Sequence, residues 1–149
     1  MALKAQNSGG FSLIELLMAL AVLGTILGLG VPISSSAYRN FLLGAEIEKF
    51  VILARRAEGL SIAGYREKDH GIAIQSGNLT VFEGASFAAR NPDFDESYNL
   101  SDSIQISGPS EITFQLLSGR PFASSSWTIS LDSGAGKIVS INEEGAVSW

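Results

Sequence analysis

The chain has 149 residues and a formal net charge of −5, which suits one folded domain and argues against a general nucleic-acid binder. It contains no cysteine, so disulfides, thiolate catalysis and cysteine-ligated metal sites are excluded. The folded part must therefore hold together by packing alone.

The first notable segment is an apolar stretch over residues 11–33, in which Glu15 is the only charged side chain. At about 1.5 Å of helical rise per residue, this segment would cover roughly 34 Å, enough to cross a hydrocarbon core of about 30 Å. Lys4 lies before it, and positive charge on that side favours an orientation with the N-terminus in the cytoplasm. We therefore predict a membrane-spanning helix over residues 11–33.

Glu15 does not fit a simple membrane anchor. A carboxylate inside a membrane costs on the order of 2.5–3.5 kcal/mol, so such a residue normally has a function and a partner. The nearest cations in the sequence, Lys4 and Arg39, are out of reach on the same helix. Cleavage just before Phe11 would create an amino group about one turn from Glu15, and a neighbouring copy could also offer its own amine. Either amine would neutralise the carboxylate in a low-dielectric setting.

Gly9 and Gly10, followed by Phe-Ser-Leu-Ile-Glu, resemble the class III signal of type IV prepilins and type II secretion pseudopilins. The resemblance implies that a prepilin peptidase cuts between Gly10 and Phe11 on the cytoplasmic side and then methylates the amine of Phe11. It also implies that Glu15 pairs with the N-terminal amine of an adjacent subunit during filament assembly. Pro32 matches the proline that kinks the long first helix in this family.

Two simpler interpretations of the N-terminal segment remain open. One is a Sec signal peptide cleaved near residues 35–37, although its apolar core is normally about 7–15 residues long and uncharged. The other is a plain transmembrane anchor, which fits the length but leaves Glu15 without a partner.

Residues 34–63 are predicted to continue the helix as an amphipathic half that covers a folded domain. Arg55 and Arg56 are interpreted as part of its solvated face, because the net charge is acidic. Apolar side chains recur at spacings of three and four, which is typical of one buried helical face: Tyr38, Phe41, Leu42, Ala45, Ile47, Phe50, Val51, Ala54 and Ala57.

Residues 64–149 are predicted to form a domain of antiparallel β-sheets, because the apolar period changes to two and turn residues separate six or seven short segments. Segments 72–74 and 79–82 flank Ser-Gly-Asn and predict a hairpin. The predicted fold class is α+β and pilin-like, with a leader at residues 1–10 and a long helix packed on the sheets. The remaining predicted strands are 104–106, 112–116, 127–131, 137–141 and 146–149.

The order of elements is similar to that of the H-type minor pseudopilins and related minor pilins. A long helix is followed by a hairpin, a variable loop and strands that end in Ile141, Gly145 and Val147. A calcium-loop signature of the kind that major pseudopilins carry at the C-terminus is not visible. This favours a minor component of the filament.

The loop over residues 84–100 is the candidate for partner contact, since long loops are often functional. Asp93, Asp95 and Glu96 supply oxygen ligands that suit calcium, but the glycine and final glutamate of an EF-hand are missing. A solvated acidic loop is the favoured interpretation, and calcium binding is a weak alternative.

Catalysis and cofactor binding are not expected. The single histidine, His70, follows Asp69, but adjacent residues of an extended chain point to opposite sides and no Gly-x-Ser-x-Gly occurs. His70 is interpreted as a turn residue before a strand.

The resemblance thus implies a structural subunit, a minor pilin or pseudopilin, of a type IV pilus or a type II secretion pseudopilus. The subunit would wait in the bacterial inner membrane and then enter an extracytoplasmic filament. Its implied partners are other pilin or pseudopilin subunits, the prepilin peptidase, the inner-membrane assembly machinery and, before assembly, membrane lipid.

Two other functions remain open. A membrane-tethered adhesin or enzyme without a filament role would keep an uncut N-terminus. The other is a DNA-uptake minor pilin, although the acidic net charge argues against nucleic acid as a partner. It would need a basic strip built from the available cations Arg55, Arg56, Arg66, Lys68, Arg90 and Arg120.

Overall fold

The computed structural model describes residues 10–132, 134 and 136–149, and gives only the backbone of residues 29–36. The chain divides into two units, Met1–Tyr38 and Arg39–Trp149. One helix, α1, runs over Leu13–Ile62. In the part of the chain described, no helix is both long and apolar enough to cross a membrane. Most of the predicted leader, and the side chains at the end of the predicted span 11–33, lie outside the described residues.

The second unit contains two four-stranded sheets in which every pairing between strands is antiparallel. The strand orders are β3-β2-β1-β5 and β4-β6-β7-β8. A helix with antiparallel sheets confirms the predicted α+β class. The strands are β1 His70–Gln75, β2 Asn78–Glu83, β3 Glu96–Asn99, β4 Ile104–Ser107, β5 Glu111–Phe114, β6 Ser125–Leu131, β7 Gly136–Ile141 and β8 Val147–Ser148.

The predicted hairpin is confirmed as β1 and β2, with Ile72 opposite Val81. Gly77 in its turn has φ of 81°, a conformation that glycine adopts without steric cost. Strand β3 was not predicted, because it lies within the loop 84–100 and its sequence, Glu-Ser-Tyr-Asn, has no apolar alternation. The loop also contains two short 3-10 turns, Phe87–Ala89 and Pro92–Phe94.

One hydrophobic core joins the C-terminal half of α1 to both sheets. Phe50 of α1 packs against Trp127 of β6, with ring centroids 5.1 Å apart. The buried face of α1 differs in part from the predicted stripe, since Phe41 and Ala45 are exposed and Leu43 is buried. The helix therefore turns a slightly rotated face to the sheets. The buried apolar residues of α1 are Leu43, Ile47, Phe50, Val51, Leu53, Ala54 and Ala57.

A polar contact fixes the end of α1 inside this core. Ser61 is fully buried, and its hydroxyl donates to the carbonyl oxygen of Phe114 at 3.0 Å and accepts from the backbone N–H of His70 at 2.9 Å. Ser61 thereby joins α1 to β1 and to β5. Both backbone groups would be left without these bonds if the hydroxyl were removed.

His70 was predicted as a turn residue before a strand, but it is the first residue of β1 and is buried, with 3% of its surface exposed. Burial lowers the pKa of its imidazole below the usual 6.5, while the weaker effects of Glu83, the Lys68 carbonyl and Asp69 oppose this and Arg66 adds to it. The buried side chain is therefore held in its neutral form.

We expect Ser61→Ala to lower the free energy of unfolding by about 1–3 kcal/mol, because two buried backbone groups lose a partner. Urea unfolding followed by circular dichroism measures this loss. Ser124→Ala, at an exposed position, is the matched control and should change stability by less than about 0.5 kcal/mol. Equal effects of the two substitutions would contradict the assigned role of Ser61.

We also expect His70 to make stability depend on pH. Above the unfolded pKa of 6.5 the imidazole is neutral in both the folded and the unfolded chain, so burial of His70 costs no stability there. As pH falls below that value, the unfolded chain gains a proton that the folded chain does not, and stability decreases towards the folded pKa. Urea unfolding at about pH 7.5 and about pH 5.5 tests this, and His70→Gln should show a smaller difference between the two.

Candidate functional site

The predicted cleavage point lies between two exposed residues just before α1. Gly10 and Phe11 precede the first residue of α1, and Phe11 is 88% exposed. The peptide bond between them therefore lies outside the helical hydrogen-bond ladder. The bond is thus accessible, as cleavage by a protease requires.

Glu15 and Ser12 form a reciprocal cap at the start of α1. The Glu15 backbone N–H donates to Ser12 Oγ at 3.3 Å, while the Ser12 backbone N–H and hydroxyl both donate to Glu15 Oε2 at 3.2 Å. This is a capping box, which pairs two helix-terminal N–H groups that would otherwise lack partners. A carboxylate is also favoured there by the helix dipole.

The cap places the Glu15 carboxylate next to the predicted new N-terminus. Its donors are the neutral groups of Ser12, and within the described residues it makes no ion pair. An amine on Phe11 would be one residue away from the backbone N–H that already contacts Glu15. Ser12 was missed at the sequence level, although the spacing Ser-x-x-Glu is a recognised signal for a helix start.

Pro32, the other residue assigned to assembly, lies in the helical backbone of α1. Its side chain belongs to the residues outside the description. The kink at Pro32 therefore stays a prediction.

The carboxylates proposed as calcium ligands do not converge. Asp95 pairs with Arg90 at 2.7 Å and Glu96 pairs with Arg56 at 2.6 Å, while Asp93 is exposed at the start of a 3-10 turn. Among the residues described, no group of three or more acidic, histidine or cysteine side chains is placed to hold a metal ion. The weak calcium candidate at Asp93, Asp95 and Glu96 is therefore not supported.

The pair of Arg56 and Glu96 instead fastens β3 to α1. Arg56 Nε donates to Glu96 Oε2 at 2.7 Å and Nη2 donates to Oε1 at 2.6 Å, a bidentate arrangement. Tyr98 adds a hydroxyl donor to Oε2 at 3.0 Å. The hydrogen bond from Arg56 is the main reason that the pKa of Glu96 lies below its usual value, and the bond to Glu96 raises the pKa of Arg56 and of Tyr98.

Most of the cations considered for DNA contact are already paired. Within the described part of the chain, Lys68 and Arg120 are the members of that set that make no ion pair. A continuous basic strip is therefore not formed by this set. The pairs are Arg55 with Glu58, Arg56 with Glu96, Arg66 with Glu83 and Arg90 with Asp95.

Asp69 and His70 do not form a catalytic pair. Asp69 Oδ1 accepts from the backbone N–H of Leu116 at 2.7 Å, and His70 Nδ1 has no hydrogen-bond partner among the described residues. The Ser61 hydroxyl contacts the His70 backbone N–H, with no hydrogen bond to the ring. This geometry lacks the base and orienting group of a hydrolase triad.

Comparisons with known proteins bear on the N-terminal motif and on the fold. The prokaryotic N-terminal methylation motif matches residues 5–31. Two structures of the minor pseudopilin EpsH from the type 2 secretion system of Vibrio cholerae resemble the chain, each with a TM-score of 0.54. They are 15% and 13% identical to it, cover 71% and 74% of this chain, and are themselves covered over 94% of their length. A sequence comparison with curated proteins finds no match.

One similarity concerns the N-terminal motif, and the other concerns the fold. The motif includes Gly10, Phe11 and Glu15, the residues for which processing and assembly roles were predicted. The likeness to EpsH shows that the chain has a pseudopilin fold. The chain is thus similar to proteins with a prokaryotic N-terminal methylation motif in its first part and to a minor pseudopilin in its fold.

Proposed function

We propose that the chain is a minor pilin or pseudopilin, a structural subunit that is processed at its N-terminus and assembled into a filament. The observation that carries this proposal is the methylation motif over residues 5–31, which contains a capped carboxylate, Glu15, next to the proposed new amine. The pseudopilin fold supports a minor pseudopilin role.

The division of the chain follows from that proposal. Residues 1–10 are a leader removed by a prepilin peptidase, and residues 11–33 anchor the subunit in the inner membrane and later form the filament core. Residues 34–63 continue the helix, and residues 64–149 form the β domain outside the cytoplasm. The end of α1 at Ile62 supports this last boundary. Strands β1, β2 and β4 to β7 share one core with the C-terminal half of α1.

The Glu15 carboxylate has a specific role in this mechanism. Cleavage gives Phe11 a positive charge, and that charge on an adjacent subunit neutralises Glu15 in the apolar interior of the filament. The pairing sets the register between neighbouring helices. Other subunits, the peptidase and the inner-membrane assembly machinery are thus the proposed partners, and the role is structural and not enzymatic.

The first prediction concerns the covalent state of the N-terminus. Mass spectrometry of the protein isolated from membranes of its native host should give a mature chain that begins with N-methylated Phe11. A chain cut near residues 35–37 would support the Sec interpretation instead. A chain that retains residues 1–10 would contradict processing altogether.

The second prediction concerns Glu15. We expect Glu15→Val to insert into the membrane normally but to reduce recovery in sheared filaments by at least about tenfold, because the amine of Phe11 loses its buried partner. Glu143→Val, at an exposed position in the second unit, is the matched control. Immunoblots of membrane and sheared fractions measure both, and equal recovery of Glu15→Val and wild type would rule out this role.

A further inference from the structure

An open sheet edge lies beside a groove in the second unit. Strand β4 is an outer strand in the order β4-β6-β7-β8, so one of its sides has no neighbouring strand. A groove of about 470 Å³ has β4 as one wall and residues 74–77, the end of β1 and its turn, as the other. None of its lining residues belongs to β6, so the groove lies on the open side of β4. The proposed function gives this edge no role.

The register shows which backbone groups of β4 point towards the groove. The Asp132 N–H donates to the carbonyl oxygen of Ser103 at 3.1 Å, and the register of β4 and β6, continued by one residue, places these two residues opposite each other. Bonded and unbonded pairs alternate along an antiparallel ladder, so Ile104 and Ile106 direct their N–H and C=O groups away from β6. The Ile104 N–H accordingly donates to Ser101 at 2.9 Å. Among the described residues, the outward groups of Ile106 have no backbone partner outside the sheet.

The hydrophobic core is incompletely covered at the same place. Ile74 of β1 and Ile106 of β4 pack against the core but are only partly buried, and both line the groove. Burial alternates along β4, since Ile104 and Ile106 are turned to the core and the residue after each of them is exposed. A strand added beside β4 would therefore place every second side chain over Ile74 and Ile106. Apolar side chains at those positions would complete the cover of the core.

The other described sheet edges are covered or shorter. At β3, Lys49 Nζ donates to the carbonyl oxygen of Asn99 at 3.0 Å. At β5, the Phe122 N–H donates to the carbonyl oxygen of Thr113 at 3.1 Å. Strand β8 has only two residues. Strand β4, with the sequence Ile-Gln-Ile-Ser, has no charged residue or proline of the kind that usually protects an edge from an added strand.

We propose that the open edge of β4 binds an extended segment of a partner protein, which joins the sheet as an additional strand. An extended backbone presents the alternating N–H and C=O groups that the outward groups of Ile106 can pair with, a mode known as β-strand addition. The segment carries apolar side chains at alternate positions and no charge on that face, because no lining residue of the groove is charged.

The second wall of the groove, residues 74–77, favours a single strand over the whole sheet that a second copy of the chain would bring. The proposal goes beyond the structural role in a filament. It does not depend on cleavage or on Glu15, so either proposal can fail alone.

Synthetic hexapeptides test this proposal on the full-length chain in detergent micelles. The peptides alternate Val, Ile, Leu or Phe with Thr and Lys, and fluorescence anisotropy of the labelled peptide measures binding, with empty micelles as the blank. We expect saturable binding of at least one sequence. N-methylation of alternate residues then blocks one edge of that peptide at a time. Methyl groups on the edge that faces β4 should weaken binding at least about fivefold, because backbone hydrogen bonds are lost, and those on the other edge should not.

Ile106→Pro is the corresponding change in the chain, because it removes an outward N–H and no bond of the ladder. It should also weaken binding at least about fivefold. Val147→Pro on β8 is the matched control and should leave binding unchanged. The bond from the Asn142 N–H to Ala146, with the register of β7 and β8, directs the Val147 N–H away from β7, and Val147 is likewise partly buried. Urea unfolding checks that both variants fold.

The absence of saturable binding by every hexapeptide would overturn the proposal, and so would equal effects of the two methylation patterns. Neither result depends on whether Ile106→Pro folds. Equal weakening by Ile106→Pro and Val147→Pro would contradict the assignment to β4. Dimers of the chain that Ile106→Pro abolishes, without any peptide binding, would assign the edge to a second copy and would also overturn it.

Discussion

The second unit depends on the burial of one helical face. No strand of the first sheet pairs with a strand of the second, so the two sheets are joined through the core that α1 fills. Phe50 contacts Trp127 on one side, and Ser61 bonds to β1 and β5 on the other. The non-polar contacts bury the helical face, while the hydrogen bonds of Ser61 hold the C-terminal end of α1 against the first sheet.

Two arginine–carboxylate pairs hold the loop before β3 and the start of β3 in place. Arg56 reaches from α1 to Glu96, and Arg90 holds Asp95 while its guanidinium stacks 3.6 Å above Phe87. A segment with little apolar surface is thus ordered by charge pairs and cation–π contacts. These contacts neutralise two carboxylates of the acidic loop, those of Asp95 and Glu96. They also use the arginines that would otherwise attract phosphates.

The sequence was informative where the signal is local. The apolar period predicted the helix, the flanked Ser-Gly-Asn predicted the hairpin, and the glycine-aromatic-acid spacing predicted the processing motif. The sequence did not reveal β3, because its residues are polar and its pairing partner is Asn78–Glu83, many positions earlier. The pair of Arg56 and Glu96 joins residues 40 positions apart, and no local pattern marks it. His70 was assigned to a turn, but it begins β1 and lies opposite Glu83 of β2 and Phe114 of β5.

The Ser12–Glu15 cap has a consequence for the order of events. Among the described residues the Glu15 carboxylate is held by the neutral backbone N–H and hydroxyl of Ser12, so it is oriented without an ion pair. Under the proposed function, hydrolysis of one amide bond would then create the positive charge that an adjacent subunit presents to this carboxylate. Since that hydrolysis is irreversible in the cell, only cleaved subunits would carry the charge needed for assembly. Uncleaved precursors would then not be incorporated into the filament.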